Sequence, residues 1–359
     1  LLLLAASHAS SQAPQLRVVD VAPRGVIAQR GDAAEIRIVF SEPMVALGRI
    51  PASPDIPWVR ISPAPKGTWR WSGTTILLFT VDPDAPLPWA TEFTVTIDGS
   101  ATAVSGRELG ETQTFRFTTP TPRLQSMRWF RRDDRHDRPV VLLLDFNQPM
   151  RAEDVLAHAA LRYTPHDVTV PELAPAARER LAAVDPAGLR AFDQKVAAAR
   201  QAASRTDRIE ARATRDWDRE RYPASPTLVG LETVEAPPPG TWIELTLDEG
   251  LVGAEGRVPA GQVQRSVAEL DPVFFARGFR CQDACDPSAY NGLELTVPVP
   301  VGRFAAALSV QDITDPAGER PVARTSIVPA SERDLTWSPS AEDAGYDRQP
   351  PASRYAYRL

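Results

Sequence analysis

The sequence is poor in the residues that most chemistry requires. Its 359 residues include two cysteines, four histidines and three methionines, and lysine occurs only at Lys66 and Lys195. It has no G-x-S-x-G elbow for a serine nucleophile, no H-E-x-x-H zinc helix and no G-x-x-x-x-G-K-[ST] phosphate loop. No stretch approaches the roughly 18 continuous apolar residues of a membrane-spanning helix. A formal net charge of −6 and a pI near 5.4 remove the electrostatic ground for binding nucleic acid or anionic lipid. The sequence reads as that of a non-enzyme, with no catalytic residue, no cofactor and no metal site expected.

Proline is abundant at 35 residues, against 20 glycines and 43% hydrophobic residues. So much proline puts turns and sheet edges into the chain and leaves little room for long helices, which points to a β-rich fold. The length exceeds what one hydrophobic core supports, so several domains are expected. At the amino end, "LLLLAASHASSQAP" combines an apolar run over Leu1–Ala6 with the small-x-small pattern Ser7-His8-Ala9. Residues 1–13 therefore read as the end of a signal peptide, and the protein as exported. No cysteine follows the run to take a lipid anchor.

A five-residue phrase appears twice, as "FSEPM" from Phe40 and "FNQPM" from Phe146. Repetition at a domain-sized interval points to a duplicated structural module. Before each phrase the apolar residues alternate: Ile36, Ile38 and Phe40 in one copy, Leu142, Leu144 and Phe146 in the other. That is the period of a half-buried strand, which the phrase's proline then ends. A weaker third copy is "LELTVPVP", with Leu293, Leu295 and Val297 before Pro300. Its distance from the second is stretched by residues 172–221, which are rich in Ala, Arg and acids. Asp185-Pro186 is a helix start, and Leu189, Phe192, Val196 and Ala203 recur at helical spacing, so this stretch reads as a solvated helical insertion.

In the first module, "LRVVDV", "AEIRIVF", "WVRISP", "GTWRW", "TILLFTV", "TEFTVTI" and "TFRFTT" give about seven short strands, the count of an immunoglobulin or fibronectin type III sandwich. Ser72-Gly73 reads as a hairpin turn. Trp69, Trp71, Phe79 and Trp89 are expected to pack in the core or at its edge; a sugar-stacking platform is the alternative. The predicted fold class is all-β: tandem Ig-like sandwiches over 14–122, 123–272 (with the insertion at about 172–221) and 273–359, the last incomplete.

In order and spacing, "FSEPMVALGRI", "ISPAPKGTWRWSGTTILLFT", "LPWATEFTVTI" and "FRFTTPTP" resemble the amino-terminal part of large bacterial alpha-2-macroglobulins. The resemblance implies an exported cell-envelope or periplasmic inhibitor that traps peptidases after they cut a bait segment. Target proteases would be engaged by regions expected beyond residue 359, and no nucleic acid or membrane insertion is implied for this stretch. Family members that bind covalently carry a Cys-x-Glu-Gln thioester, and no such sequence occurs here. The alternative function is a surface adhesin or structural stalk of Ig-like repeats.

Cys281 and Cys285 lie in "RCQDACD". Their spacing and the expected export allow a local disulfide, with a chain-entropy gain of about 2 kcal/mol before strain. Free thiols and a metal site remain alternatives, although His8, His136, His158 and His166 all lie far upstream. His136, in "RRDDRHDRP", is flanked by carboxylates that could orient an imidazole; the plainer reading is a charged loop between modules. Glu153 and Asp154 suit the first turn of a short helix.

Overall fold

Alternating apolar residues build the first hundred residues into strands. The computed structural model describes residues 15–279, 291–297 and 299, and then the strand segments 309–312, 320–321, 328–329, 334–337 and 355–358. Residues 1–13, read as a signal peptide, lie outside the described residues. The first unit comprises β1 (Val18–Ala22), β2 (Gly25–Val26), β3 (Glu35–Phe40), β4 (Val59–Ser62), β5 (Gly67–Ser72), β6 (Ile76–Val81), β7 (Glu92–Ile97) and β8 (Gln113–Thr118). One sheet runs β1-β3-β6-β5 and the other β2-β8-β7-β4. This is the constant-type immunoglobulin arrangement, with the short β2 added in parallel to β8. All seven strands read from the sequence are present, and Gly73, at φ +77°, makes the β5–β6 turn.

Ile36, Ile38 and Phe40 point inward and are almost fully buried, as their alternation predicts. Cross-strand Phe93 and Phe117 stack at 5.2 Å. The core of this sandwich draws all its buried apolar side chains from residues 16–117, so the unit closes its own interior.

The second unit comprises β9 (Leu124–Arg131), β10 (Val140–Phe146), α1 (Ala152–His158), β11 (Ala159–Thr164), α2 (Pro175–Val184), α3 (Pro186–Ala203), β12 (Arg208–Ile209), β13 (Ala211–Thr214), β14 (Leu228–Thr233), β15 (Trp242–Leu247) and β16 (Gln264–Glu269). Its sheets run β13-β14-β10-β9 and β12-β11-β15-β16. The sheet holding the repeated phrase thus has the same strand order in both units. Further on, Ala276–Phe279, Asn291–Leu295, Asp334–Trp337 and Val328–Pro329 stand in that same order.

The helical insertion is narrower than the expected 172–221. Helices occupy 175–203, capped at Asp185, whose side chain accepts from the Gly188 N–H. Residues 208–214 are strands in both sheets. Residues 215–222 form a strap over the outer face of the β10 sheet. Trp217 lies over Gly230, where a Cβ would come within 2.9 Å of the indole, and Tyr222 stacks on Phe130 at 5.9 Å. Charged neighbours hide these two aromatics in the sequence pattern. The strap helps explain why β10 is buried on both faces, Val141 and Leu143 included. Nor is the arm wholly solvated. Helix α2 buries no residue, but α3 buries Ala199, Ala202 and Ala203, and its Phe192 meets Phe275 edge to face at 6.2 Å.

The repeated phrase has one structural task, performed in the same way twice. Its second residue pairs with the backbone just ahead of each unit's first strand. Ser41 donates its N–H to Arg17 O and accepts the Arg17 N–H on its hydroxyl at 3.0 Å. Asn147 does the same with Arg123, accepting its N–H at 2.9 Å, and its amide also donates to Thr121 O at 3.0 Å. The proline carbonyl accepts from a later loop in both copies, from Val104 in one and Ala254 in the other. The phrase fastens the mouth of the sandwich. Asn147→Ala should lower stability by about 1–2 kcal/mol, and Ser41→Ala by less because it breaks one side-chain bond; urea unfolding of the two variants reads the order directly.

Candidate functional site

Among the described residues, the chemistry-bearing side chains singled out by the sequence do not converge. His136 is exposed, and its carbonyl, not its ring, is held, by the Arg131 guanidinium at 3.1 Å. The neighbouring Asp137 is engaged by Arg135, which holds its carboxyl down at about 2. His158 Nδ1 lies 2.8 Å from Asp248, whose pKa that bond lowers, and the His166 ring stacks on Trp242 at 4.3 Å. These are three separate places. Glu153 and Asp154 stand in the first turn of α1, as expected. Cys281 and Cys285 lie outside the described residues. Trp71 and Phe79 are in the core of the first sandwich and Trp69 packs edge-on against Phe79 at 4.9 Å.

Trp89 has a different position. It sits on the β6–β7 turn, where Ala90 has a φ of +45° and Arg30 lies 5.1 Å over the indole. That turn meets the β15–β16 loop of the second sandwich. Val258 donates its N–H to Ala90 O at 2.9 Å, and the Trp89 N–H donates to the Glu255 carboxylate at 3.3 Å. Between them is Gly256. A Cβ there would fall 2.0 Å from Trp89 O and 2.2 Å from Ala90 O, so the two backbones approach as only glycine permits.

The linker is fastened too. Thr119 is fully buried and exchanges hydrogen bonds with Thr91, and Ala90 donates to Pro120 O at 3.1 Å. On the far side Gln264 bridges the junction, accepting the Leu124 N–H at 2.7 Å and donating to Pro122 O at 3.1 Å. Each bond contributes about 0.5–1.5 kcal/mol. Together they hold two cores at a defined angle. Sequence reasoning missed Glu255, Gly256 and Gln264 because a loop glycine and two polar residues have no period, and it assigned Trp89 to packing.

At the end of the second sandwich away from the joint, an ion cluster gathers on one buried carboxylate. Glu232, 2% exposed, accepts from Arg132 and from Arg212 Nη2 at 3.0 Å, while Arg132 also reaches Asp216 at 2.8 Å. The Arg132 hydrogen bond, reinforced by Arg212, lowers the pKa of Glu232. The sign follows: the stability from a depressed carboxyl is present above its unfolded value of about 4.3 and is lost as pH falls through the folded one. Glu232→Gln should destabilise the chain at pH 7 and flatten its acid sensitivity, as thermal melts between pH 7 and 3 would record. Gly256→Val should open the joint without unfolding either sandwich, seen as a wider small-angle scattering profile with unchanged far-UV circular dichroism.

Similarity to a family model agrees with the architecture of the first sandwich. Residues 11–119 match the family model described as a bacterial Ig-like domain. No curated protein matches the chain. Among solved structures, native alpha-2-macroglobulin from Escherichia coli, spanning domains MG0-NIE-MG1, is similar at 11% identity, covering 96% of this chain and 90% of that one, with a TM-score of 0.22. The Escherichia coli adhesin FdeC is similar at 8% identity over 91% and 88%, with a TM-score of 0.20. An ICAM-5 D1–D4 ectodomain fragment is similar at 9% identity over 96% and 75%, with a TM-score of 0.24. The chain is built of immunoglobulin-like β-sandwiches, the first of them similar to the bacterial Ig-like domain.

Proposed function

We propose that these sandwiches form a non-catalytic scaffold in an exported bacterial protein, and that the scaffold is the amino-terminal part of an alpha-2-macroglobulin-type protease trap at the cell envelope. The observation that carries the scaffold is the joint: a buried linker and the Gly256 contact hold neighbouring units at a set angle. The trap assignment rests on the order of sequence blocks from Phe40 to Pro122. In this reading the units position bait and trapping machinery supplied by other regions, and target proteases engage those regions.

A second reading, an adhesin or surface stalk, is favoured by one feature: Leu47, at 88% exposure, stands on the loop that follows the repeated phrase, at the end of the first sandwich away from the second. The protein beyond this stretch discriminates the two. Many further sandwiches and an α/α-toroid domain support the trap, and a wall or outer-membrane anchor removes it.

Incubation with trypsin tests the scaffold directly. The enzyme is expected to cut the exposed helices near Arg178, Arg180 or Arg190, leave both sandwiches folded, and keep its full activity on a large protein substrate. A stoichiometric loss of trypsin activity would place an inhibitory element inside these residues and overturn the scaffold reading.

A further inference from the structure

The bond that fastens the start of the first two units recurs in the weaker third copy of the phrase. Ser41 and Asn147 accept the N–H groups of Arg17 and Arg123; in the third copy Thr296 accepts the Phe275 N–H at 2.7 Å and returns its own N–H to Phe275 O at 3.0 Å. The Thr296 hydroxyl also donates to Val273 O at 2.8 Å. Phe275 therefore stands, just ahead of the unit's first strand, where Arg17 and Arg123 stand in the other two. Those arginines are exposed, whereas Phe275 is 5% exposed. Its ring meets the helical arm: Phe192 packs edge to face on it at 6.2 Å, and Lys195 Nζ lies 5.2 Å over both Phe274 and Phe275.

The second linker lacks the latch of the first. In the first, the Thr119 hydroxyl accepts the Thr91 N–H at 2.9 Å and donates to Pro88 O at 2.7 Å. In the second the backbone bonds recur, Leu270 to Thr241 O at 3.1 Å and Gly240 to Asp271 O at 2.7 Å, but leucine has no hydroxyl to add. The second linker is also one residue longer, since β8 ends at 118 and β9 begins at 124, whereas β16 ends at 269 and the next strand begins at 276. Residues left unfixed keep backbone freedom, so a contact from outside the linker narrows its angle. Helix α3 can supply one. Leu189, Phe192, Val196, Ala199 and Ala203 line one covered face of it. At one end Ala203 O accepts the His166 N–H at 3.0 Å, and Phe192 lies about 16 Å away along the helix. One face thus serves two places.

We infer that the helical arm is a docking element for the third unit: α3 grips that unit at Phe275, through Phe192 and Lys195, and so sets its angle to the second sandwich. The partner is the chain's own next module, and the aromatic pair at its entry is what the arm recognises. An arginine at 275, as at the corresponding places of the other two units, would set one cation against another, whereas two phenylalanine rings attract the ammonium. The insertion then has a task. This inference goes beyond the scaffold reading and holds for a trap or a stalk alike.

The test uses the full chain with Phe192→Ala and Lys195→Ala together, which remove the ring edge and the cation while alanine keeps α3 helical. Chymotrypsin, which cuts after phenylalanine, should then cleave the linker at 274–275 about tenfold faster, the combined scale of one aromatic pair and one cation–π contact, because cleavage follows the population of the opened form. The small-angle scattering profile should widen as well. Hydrogen exchange along Asn291–Leu295 should stay at the wild-type rate, which shows the third unit still folded. An unchanged rate of linker cleavage, or faster cleavage with an unchanged profile, would overturn the proposal. So would loss of exchange protection along Asn291–Leu295, which would make the arm part of the third unit's core instead of the element that sets its angle.

Discussion

Backbone groups at the mouth of a β-sandwich must find partners, because the ladder that satisfies them elsewhere stops there. In this protein one residue meets that demand twice. Ser41 and Asn147 each sit just past a central strand and take the N–H that precedes the first strand. The strand that leaves and the strand that begins are fixed to each other, and the loops at that end inherit their positions. Asparagine adds a reach that serine lacks, so the second copy also holds the linker at Thr121. The junction between units therefore begins in the same bond that closes the sandwich.

The second sandwich carries more than the first. Its insertion enters between β11 and β12, at a sheet edge where a long excursion breaks no central pairing. The chain then returns through two short strands and a strap that covers the outer face of the β10 sheet. The buried Arg131 ties loop backbone at the end away from the joint, donating to the carbonyls of His136, Arg138 and Pro237, and burial lowers its pKa. Helix α3 reaches past its own sandwich, where Lys195 lies 5.2 Å over both Phe274 and Phe275. The arm thus braces the exit of the second unit much as Gly256 braces its entry.

Paired repeats also expose what differs between them. At the third position of the phrase, Glu42 is satisfied by Ser105 and Arg107, whereas Gln148 is fully buried and, among the described residues, neither of its amide atoms has a hydrogen-bond partner. Loop residues that are tied inward in the first unit are turned outward in the second, where Glu255 bonds the neighbouring turn. A small change at one position accompanies the difference between this end of the first sandwich and the joint.

The sequence by itself determined the β-class of the protein, its strands, its repeat and its helix start at Asp185. Each rests on local period or local turn chemistry: inward Ile36, Ile38 and Phe40, the stop at Pro43, the hairpin at Gly73. It also indicated a helical excursion in the second unit but overran it, because the charges around Trp217 and Tyr222 conceal a strap that only the sheet beneath explains. Tertiary structure alone decided the joint. Gly256, Glu255 and Gln264 acquire their roles from residues more than a hundred positions away, and no spacing along the chain encodes a meeting of two backbones. The same reason separates Trp89 from the other tryptophans: the chain states its type, and the fold alone sets which surface it meets.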